Sequence, residues 1–252
     1  MYKKTNKFII FTIFTLLLNG CSWKNNMSQK DFYYRENILT KANNYGGLIN
    51  LYSNKLKVKE DDSIRLKLAN AYYLAGDTHS SLYYLGPIAH KRNEYIYLLL
   101  AKNLINNNDN VGAKVAVDKL LEMSPSNAEG HNINGIILAN NGDLNKAEKA
   151  IEKSRHLFIS DETAMNNLAV IAILDERYRD AVRILLPDYL AGKRGSLMLH
   201  NLIFSLVKLK DKKYAKKIII AEKITRKPDE LILALSQVST PYQGKLSEEI
   251  KQ

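Results

Sequence analysis

Few residues in this chain are spaced for chemistry. The five histidines, His79, His90, His131, His156 and His200, are scattered, and no two stand at metal-ligand spacing. A single cysteine, Cys21, leaves nothing to pair in a disulfide and no thiolate cluster for zinc. Asp61-Asp62 and Asp161-Glu162 are adjacent acids of the kind used in acid–base work, but both fall at expected helix starts, where carboxylates satisfy exposed amide groups. No glycine-rich phosphate loop, Gly-x-Ser-x-Gly elbow or His-Glu-x-x-His pair occurs. The 15 tyrosines read as seam-fillers, not as a cofactor box. These absences point away from an enzyme, a metal site and a small-molecule substrate. Cys21 is the one residue whose placement suggests a reaction, and the sequence around it says which.

Lys3, Lys4 and Lys7 precede an apolar run from Phe8 to Leu18. The run is too short to span a bilayer, which takes about 20 apolar residues, and suits the centre of a secretory signal. It ends in Leu18-Asn19-Gly20-Cys21, which resembles the bacterial lipobox, with Asn19 an uncommon occupant of its position. The resemblance implies cleavage after Gly20, diacylglycerol on the Cys21 sulfur and an acyl group on the new amino terminus. These would be the only groups the protein carries, and they would anchor it to a membrane. Ser22 in place of Asp implies the outer membrane, facing the periplasm. Residues 1–20 are thus expected to be signal peptide and 21–30 a polar tether. The chain carries 37 basic against 26 acidic residues, a formal +11. Loss of the three leader lysines would leave 34 against 26, or +8, so the mature surface favours anionic partners.

The elements that follow are set by a period. Ala113, Ala147, Ala181 and Ala215 stand 34 residues apart, each preceded by 12 residues by Ala101, Gly135, Ala169 and Ile203. Val117, Ile151, Leu185 and Ile219 follow four residues after each alanine, and Asp109, Asp143 and Asp211 recur before the turn with Arg177 at the fourth place. This is the tetratricopeptide signature: paired helices whose backbones meet at small residues, with large aliphatics filling the seam to the next pair. The predicted fold is all-α, a right-handed tetratricopeptide superhelix (α-solenoid) of five to six helix pairs. Five repeats are expected over 62–229, at 62–93, 94–127, 128–161, 162–195 and 196–229. A degenerate capping repeat is expected over 31–61, with Gly46-Gly47 between its two apolar stretches. A capping helix over 230–239 and a mobile tail over 240–252 complete the organisation.

In repeat register, the residues facing the inside of such a curve are Leu98, Lys102 and Ile105; Asn132, Ile136 and Ala139; Asn166, Val170 and Ile173; and His200, Phe204 and Val207. An apolar strip with an Asn-Asn-His row suits an amphipathic helix or an extended segment of another protein, and packing against neighbouring helices is the competing reading. A second feature is charge. Between Ala191 and Lys227 eleven basic residues face only Asp211 and Glu222, a local +9 centred on Lys208, Lys210, Lys212, Lys213, Lys216 and Lys217. That patch reads either as a docking surface for anionic head groups or an acidic protein, or as a solvated helix face. With Tyr214 the one aromatic among these lysines, the run offers no series of base-stacking rings and does not suit nucleic acid.

Asn166-Asn167-Leu168, Leu185-Leu186-Pro187 and His200-Asn201-Leu202, followed by Arg226-Lys227-Pro228 and a last short helix, resemble the TadD lipoproteins of the tight-adherence (Flp) pilus system over roughly residues 60–238. The sequence departs from that pattern where Asn108 and Glu176 replace a turn glycine and Ile203 a small residue. The resemblance implies a non-enzymatic assembly factor whose partner is a secretin or another pilus component. Related architectures imply alternatives: a type IV pilus pilotin, an outer-membrane protein assembly lipoprotein, or a peptidoglycan-associated scaffold using the basic last repeat.

Overall fold

The computed structural model describes residues 28–239. Cys21, the leader and the expected tail over 240–252 lie outside them. The described residues contain thirteen α-helices and no strand. The helices are α1 (Gln29–Lys41), α2 (Tyr45–Val58), α3 (Asp62–Leu74), α4 (Thr78–Leu85), α5 (Glu94–Asn106), α6 (Asn110–Met123), α7 (Ala128–Asn140), α8 (Leu144–His156), α9 (Asp161–Leu174), α10 (Tyr178–Leu190), α11 (Ser196–Lys208), α12 (Lys212–Ala221) and α13 (Pro228–Gln237). Consecutive helices pair antiparallel, and the first helix of each pair also packs on the first helix of the next. That pattern winds the pairs into an α-solenoid.

Local sequence explains the boundaries. Ten helices start on a side-chain cap. Asp77, Asp109, Asp143 and Asp211 each accept the backbone N–H three residues ahead, at 2.9, 2.8, 3.3 and 3.1 Å, which satisfies one of the amides a helix start leaves open. Arg177, which takes the place of aspartate in the fourth repeat, caps nothing with its side chain. Its guanidinium instead holds Glu148 of the preceding repeat and Asp175, both at 2.7 Å. The turns within pairs need a left-handed residue. Gly76 and Gly142 supply it without strain, whereas Asn108, Glu176 and Lys210 adopt φ of 58°, 57° and 65° at the equivalent positions.

Ala113, Ala147, Ala181 and Ala215 are fully buried, facing Ala101, Gly135, Ala169 and Ile203 across each pair. At Gly135 there is no room for a side chain: a Cβ there would lie 2.5 Å from Ile151 Cδ1 and 3.2 Å from the Ala147 carbonyl oxygen. The core is accordingly a row of clusters at the seams. The N-terminal one gathers Phe32, Leu48, Tyr52, Ile64 and Leu68, and the C-terminal one runs from Ala169 through Leu185, Leu202 and Ile218 to Ile232.

Three local expectations need correction. Gly46-Gly47 does not separate the capping helices; both residues lie in the first turn of α2. The turn is Ala42-Asn43-Asn44, with Asn43 left-handed, and Gly47 is small because a Cβ would meet Leu39 Cδ2 at 2.5 Å. Helix α1 begins at Gln29, inside the stretch expected to be tether, because the Ser28 hydroxyl accepts the Asp31 amide. The TadD resemblance implies that Leu185-Leu186-Pro187 closes its helix, but α10 continues to Leu190, and the Pro187 carbonyl accepts the Ala191 amide at 2.9 Å.

Candidate functional site

A groove of about 690 Å³ crosses the inner face of the solenoid. Helix α5 contributes Glu94, Tyr95, Leu98 and Lys102, α7 contributes Glu129, Asn132 and Ile133, the link into α9 contributes Phe158, Ile159 and Ser160, and the first turn of α9 contributes Thr163. A recess of about 250 Å³ extends it over α3 and shares Tyr95, Leu98 and Lys102. Two of its walls are helix faces that recur every 34 residues, and the third is the link between α8 and α9. Its floor is aliphatic, through Leu98 and Ile133. Its rim carries two exposed aromatics, Tyr95 at 64% and Phe158 at 94%. An ion pair between Lys102 and Glu129 bridges α5 and α7 within it.

Phe158 owes its exposure to backbone geometry. It follows Leu157, the last cap of α8, and adopts φ of 68°, which turns the chain sharply into Ile159. Its amide is held by the Arg155 carbonyl at 2.9 Å. The link is then fixed by Ser160, whose hydroxyl accepts the Thr163 amide, and by Arg155, which donates to Asp161 at 3.1 Å. A large apolar ring is therefore held in solvent by a rigid turn, where it loses hydration free energy until something covers it.

Of the strip read from the sequence, Leu98, Lys102 and Asn132 come together in this groove. Asn132 and Asn166 are half-buried and spend their side-chain oxygens between repeats: Asn167 donates to Asn132 at 2.7 Å and Asn201 to Asn166 at 2.9 Å. His200 is exposed, and Ile136 and Val170 are half-buried on the helices that follow α5. Ile105 packs against the cluster around Ala113 and Val117. Phe204 is engaged, edge-on to Tyr178 at 6.2 Å between centroids. Ile173 and Val207 are corrections. At 8% and 2% exposure they are interior members of the C-terminal cluster, because α11 covers the end of α9, and α13 packs on α11. Tyr95, Glu129 and Phe158 were missed by register alone. A loop phenylalanine in Leu157-Phe158-Ile159-Ser160 was the signal available.

The basic cluster is partly spent on the last helix. Lys208 donates to the carbonyls of Ser236, at 3.4 Å, and Val238, and its ammonium lies 5.4 Å from the centre of the Phe204 ring. It thereby closes the C-terminal end of α13, as a cation should. Lys216 pairs with Asp229 at 2.7 Å, and Arg194 with Glu222 at 2.8 Å. Lys210 sits in the left-handed turn. Lys212, Lys213 and Lys217 are exposed on α12, with no acid in ion-pair range among the described residues. Helix starts also hold the acids noted earlier: Asp61 accepts the Ser63 and Ile64 amides, and Asp161 lies in the first turn of α9.

No protein-family model and no curated protein sequence matches this chain. Solved structures do. A tetratricopeptide repeat protein from Parabacteroides merdae superposes with a TM-score of 0.66 over 83% of this chain and 84% of its own, at 13% identity. A thermophilic TPR protein of Thermus thermophilus gives 0.57 over 69% and 97%, at 17% identity. YrrB, described as a TPR protein with an unusual peptide-binding site, gives 0.50 over 70% and 93%, also at 17% identity. At these identities the likeness speaks to architecture, and on it the chain has the tetratricopeptide α-solenoid fold.

Proposed function

We propose that this protein is a non-enzymatic adaptor whose inner groove grips a segment of another polypeptide. The observation that carries the reading is the pair of exposed aromatics, Tyr95 and Phe158, standing over the aliphatic floor of Leu98 and Ile133. Rigid aromatic anchors over an apolar floor, with a charged pair for register, are what an amphipathic helix or extended strand requires. The likeness to a TPR protein described as having a peptide-binding site supports the same use of this fold.

The finer reading draws on the lipobox-like Leu18-Asn19-Gly20-Cys21 and on the resemblance to TadD lipoproteins. Diacylglycerol and an N-acyl group on Cys21 tie the adaptor to the periplasmic leaflet of the outer membrane, and the gripped segment belongs to the secretin or another component of the Flp pilus. Anchor and client then share one surface, so modest groove affinity suffices. A photoreactive phenylalanine analogue at position 95, irradiated in cells, is expected to trap one membrane protein of the pilus system. Trapping of no protein, or of the same proteins from position 83 on α4, overturns the groove reading. Normal piliation in a deletion strain overturns the pilus assignment. A second reading, docking to an anionic wall polymer, is favoured only by the unpaired Lys212, Lys213 and Lys217 of α12.

A further inference from the structure

Helix α1 has a buried side and an exposed side of different character. Phe32 is interior, stacked obliquely on Tyr52 at 6.2 Å. On the opposite side Lys30, Tyr34, Asn37 and Lys41 follow one another at helical spacing, flanked by Tyr33 and Ile38, and all six are exposed. One acid, Asp31, stands at the edge of this face beside Ile38, where it is engaged with Ser28 at the start of the helix. Over residues 28–59 six Lys or Arg stand against only Asp31 and Glu36, and Glu36 is turned inward, accepting from Tyr52 and Lys67, each at 2.7 Å. Among the described residues no other helix covers the tyrosines. Two amphipathic rings and an isoleucine rimmed by ammonium groups match the boundary layer of a phospholipid bilayer, where tyrosine is enriched and lysine reaches the phosphates.

Chain length fixes what lies opposite. Seven residue steps separate Cys21 from Ser28, and at most about 3.5 Å per step keeps the start of α1 within roughly 25 Å of an acylated Cys21. We infer that the exposed face of α1 lies on the phospholipid surface as a second, non-covalent attachment that orients the solenoid against the membrane. The inference rests on the anchor proposed at Cys21. Acyl chains alone permit any orientation; a docked α1 holds the first helix pair at the bilayer and points the remaining repeats away from it.

The test uses the full lipidated chain in vesicles of phosphatidylethanolamine and phosphatidylglycerol, with Trp23→Phe to remove the native indole. Tyr34→Trp on the proposed face is compared with Asn50→Trp, exposed on α2 of the same hairpin. In vesicles dibrominated near the head-group end of the acyl chains, fluorescence of the first variant should drop about twofold, as for an interfacial indole, and that of the second should barely change. Lys30→Glu with Lys41→Glu should restore the lost signal. Equal quenching at both positions, or none at either, overturns the docked face. A cross-link between two copies through position 34, with no quenching, would show a second protein chain there and also overturn it. Mass spectrometry of the amino-terminal peptide separates this from failure of the anchor: a chain without acyl groups that does not float with vesicles removes the anchor reading and this inference with it.

Discussion

At the scale of single residues, the seams are held by side chains that the repeat pattern does not dictate. Tyr52 is one. Its hydroxyl donates to Glu36 inside the N-terminal cluster, and burial, with that carboxylate beside it, pushes the phenol above its ordinary range. A raised folded value means the protonated phenol is favoured by folding, so its contribution is complete below the unfolded value of about 10 and lost as pH climbs through the folded one. Melting followed by circular dichroism should therefore hold up to about pH 10 and fall as the pH is raised beyond it. Tyr52→Phe should cost about 1.5 kcal/mol at neutral pH, from a hydrogen bond to a charged group, and should flatten the alkaline decline. An undiminished decline in the variant would place its origin elsewhere. Lys210 carries the opposite kind of information. Its φ of 65° costs an L-residue about 1 kcal/mol, part of which a glycine returns as unfolded-chain entropy. Lys210→Gly should raise stability by about 0.5 kcal/mol in urea titration, and a loss of stability would mean the lysine is held by something other than its turn.

At the scale of the element, the helix pair is set by its smallest residue. Gly135 leaves no room for a side chain where α7 meets α8, whereas the larger Ile203 fills the equivalent place between α11 and α12. A methyl group at 135 gains helix propensity yet collides with Ile151, which is fully buried, so Gly135→Ala should cost about 1–3 kcal/mol through overpacking. Ile151 Cγ1 would also lie only 2.7 Å from that methyl, so Ile151→Val, which removes Cδ1 but keeps Cγ1, should recover only part of the loss; double-mutant additivity, measured by denaturant unfolding, would refute the contact. The period made these pairs legible in the sequence, because alanine, aspartate and aliphatic positions recur for reasons of packing and capping that each residue states locally. The groove was less so. Leu98, Lys102 and Asn132 followed from register, but register treats every repeat alike. Ile173 and Val207 are interior because the last helices fold over them, an end effect that no internal repeat announces. Phe158 was illegible for a different reason: its exposure depends on one left-handed dihedral after α8.

At the scale of the whole molecule, the solenoid separates three surfaces that a globular domain would crowd together. The tyrosine and lysine face of α1 is at one end, the aromatic-rimmed groove crosses α5 to α9, and the unpaired lysines of α12 are near the other end. Because each pair touches only its neighbours, a change at one surface should leave the others intact. Phe158→Ala with Tyr95→Ala removes two exposed rings, so the melting temperature should move little, within about 0.5 kcal/mol of stability. Recovery of the partner from membranes should nevertheless fall by at least tenfold, as for paired aromatic anchors. Reversing Lys212, Lys213 and Lys217 to glutamate should leave that recovery and piliation unchanged. If the charge-reversed protein loses piliation while the aromatic variant keeps it, the client sits on α12, and the inner groove is merely the shape that stacked helix pairs leave behind.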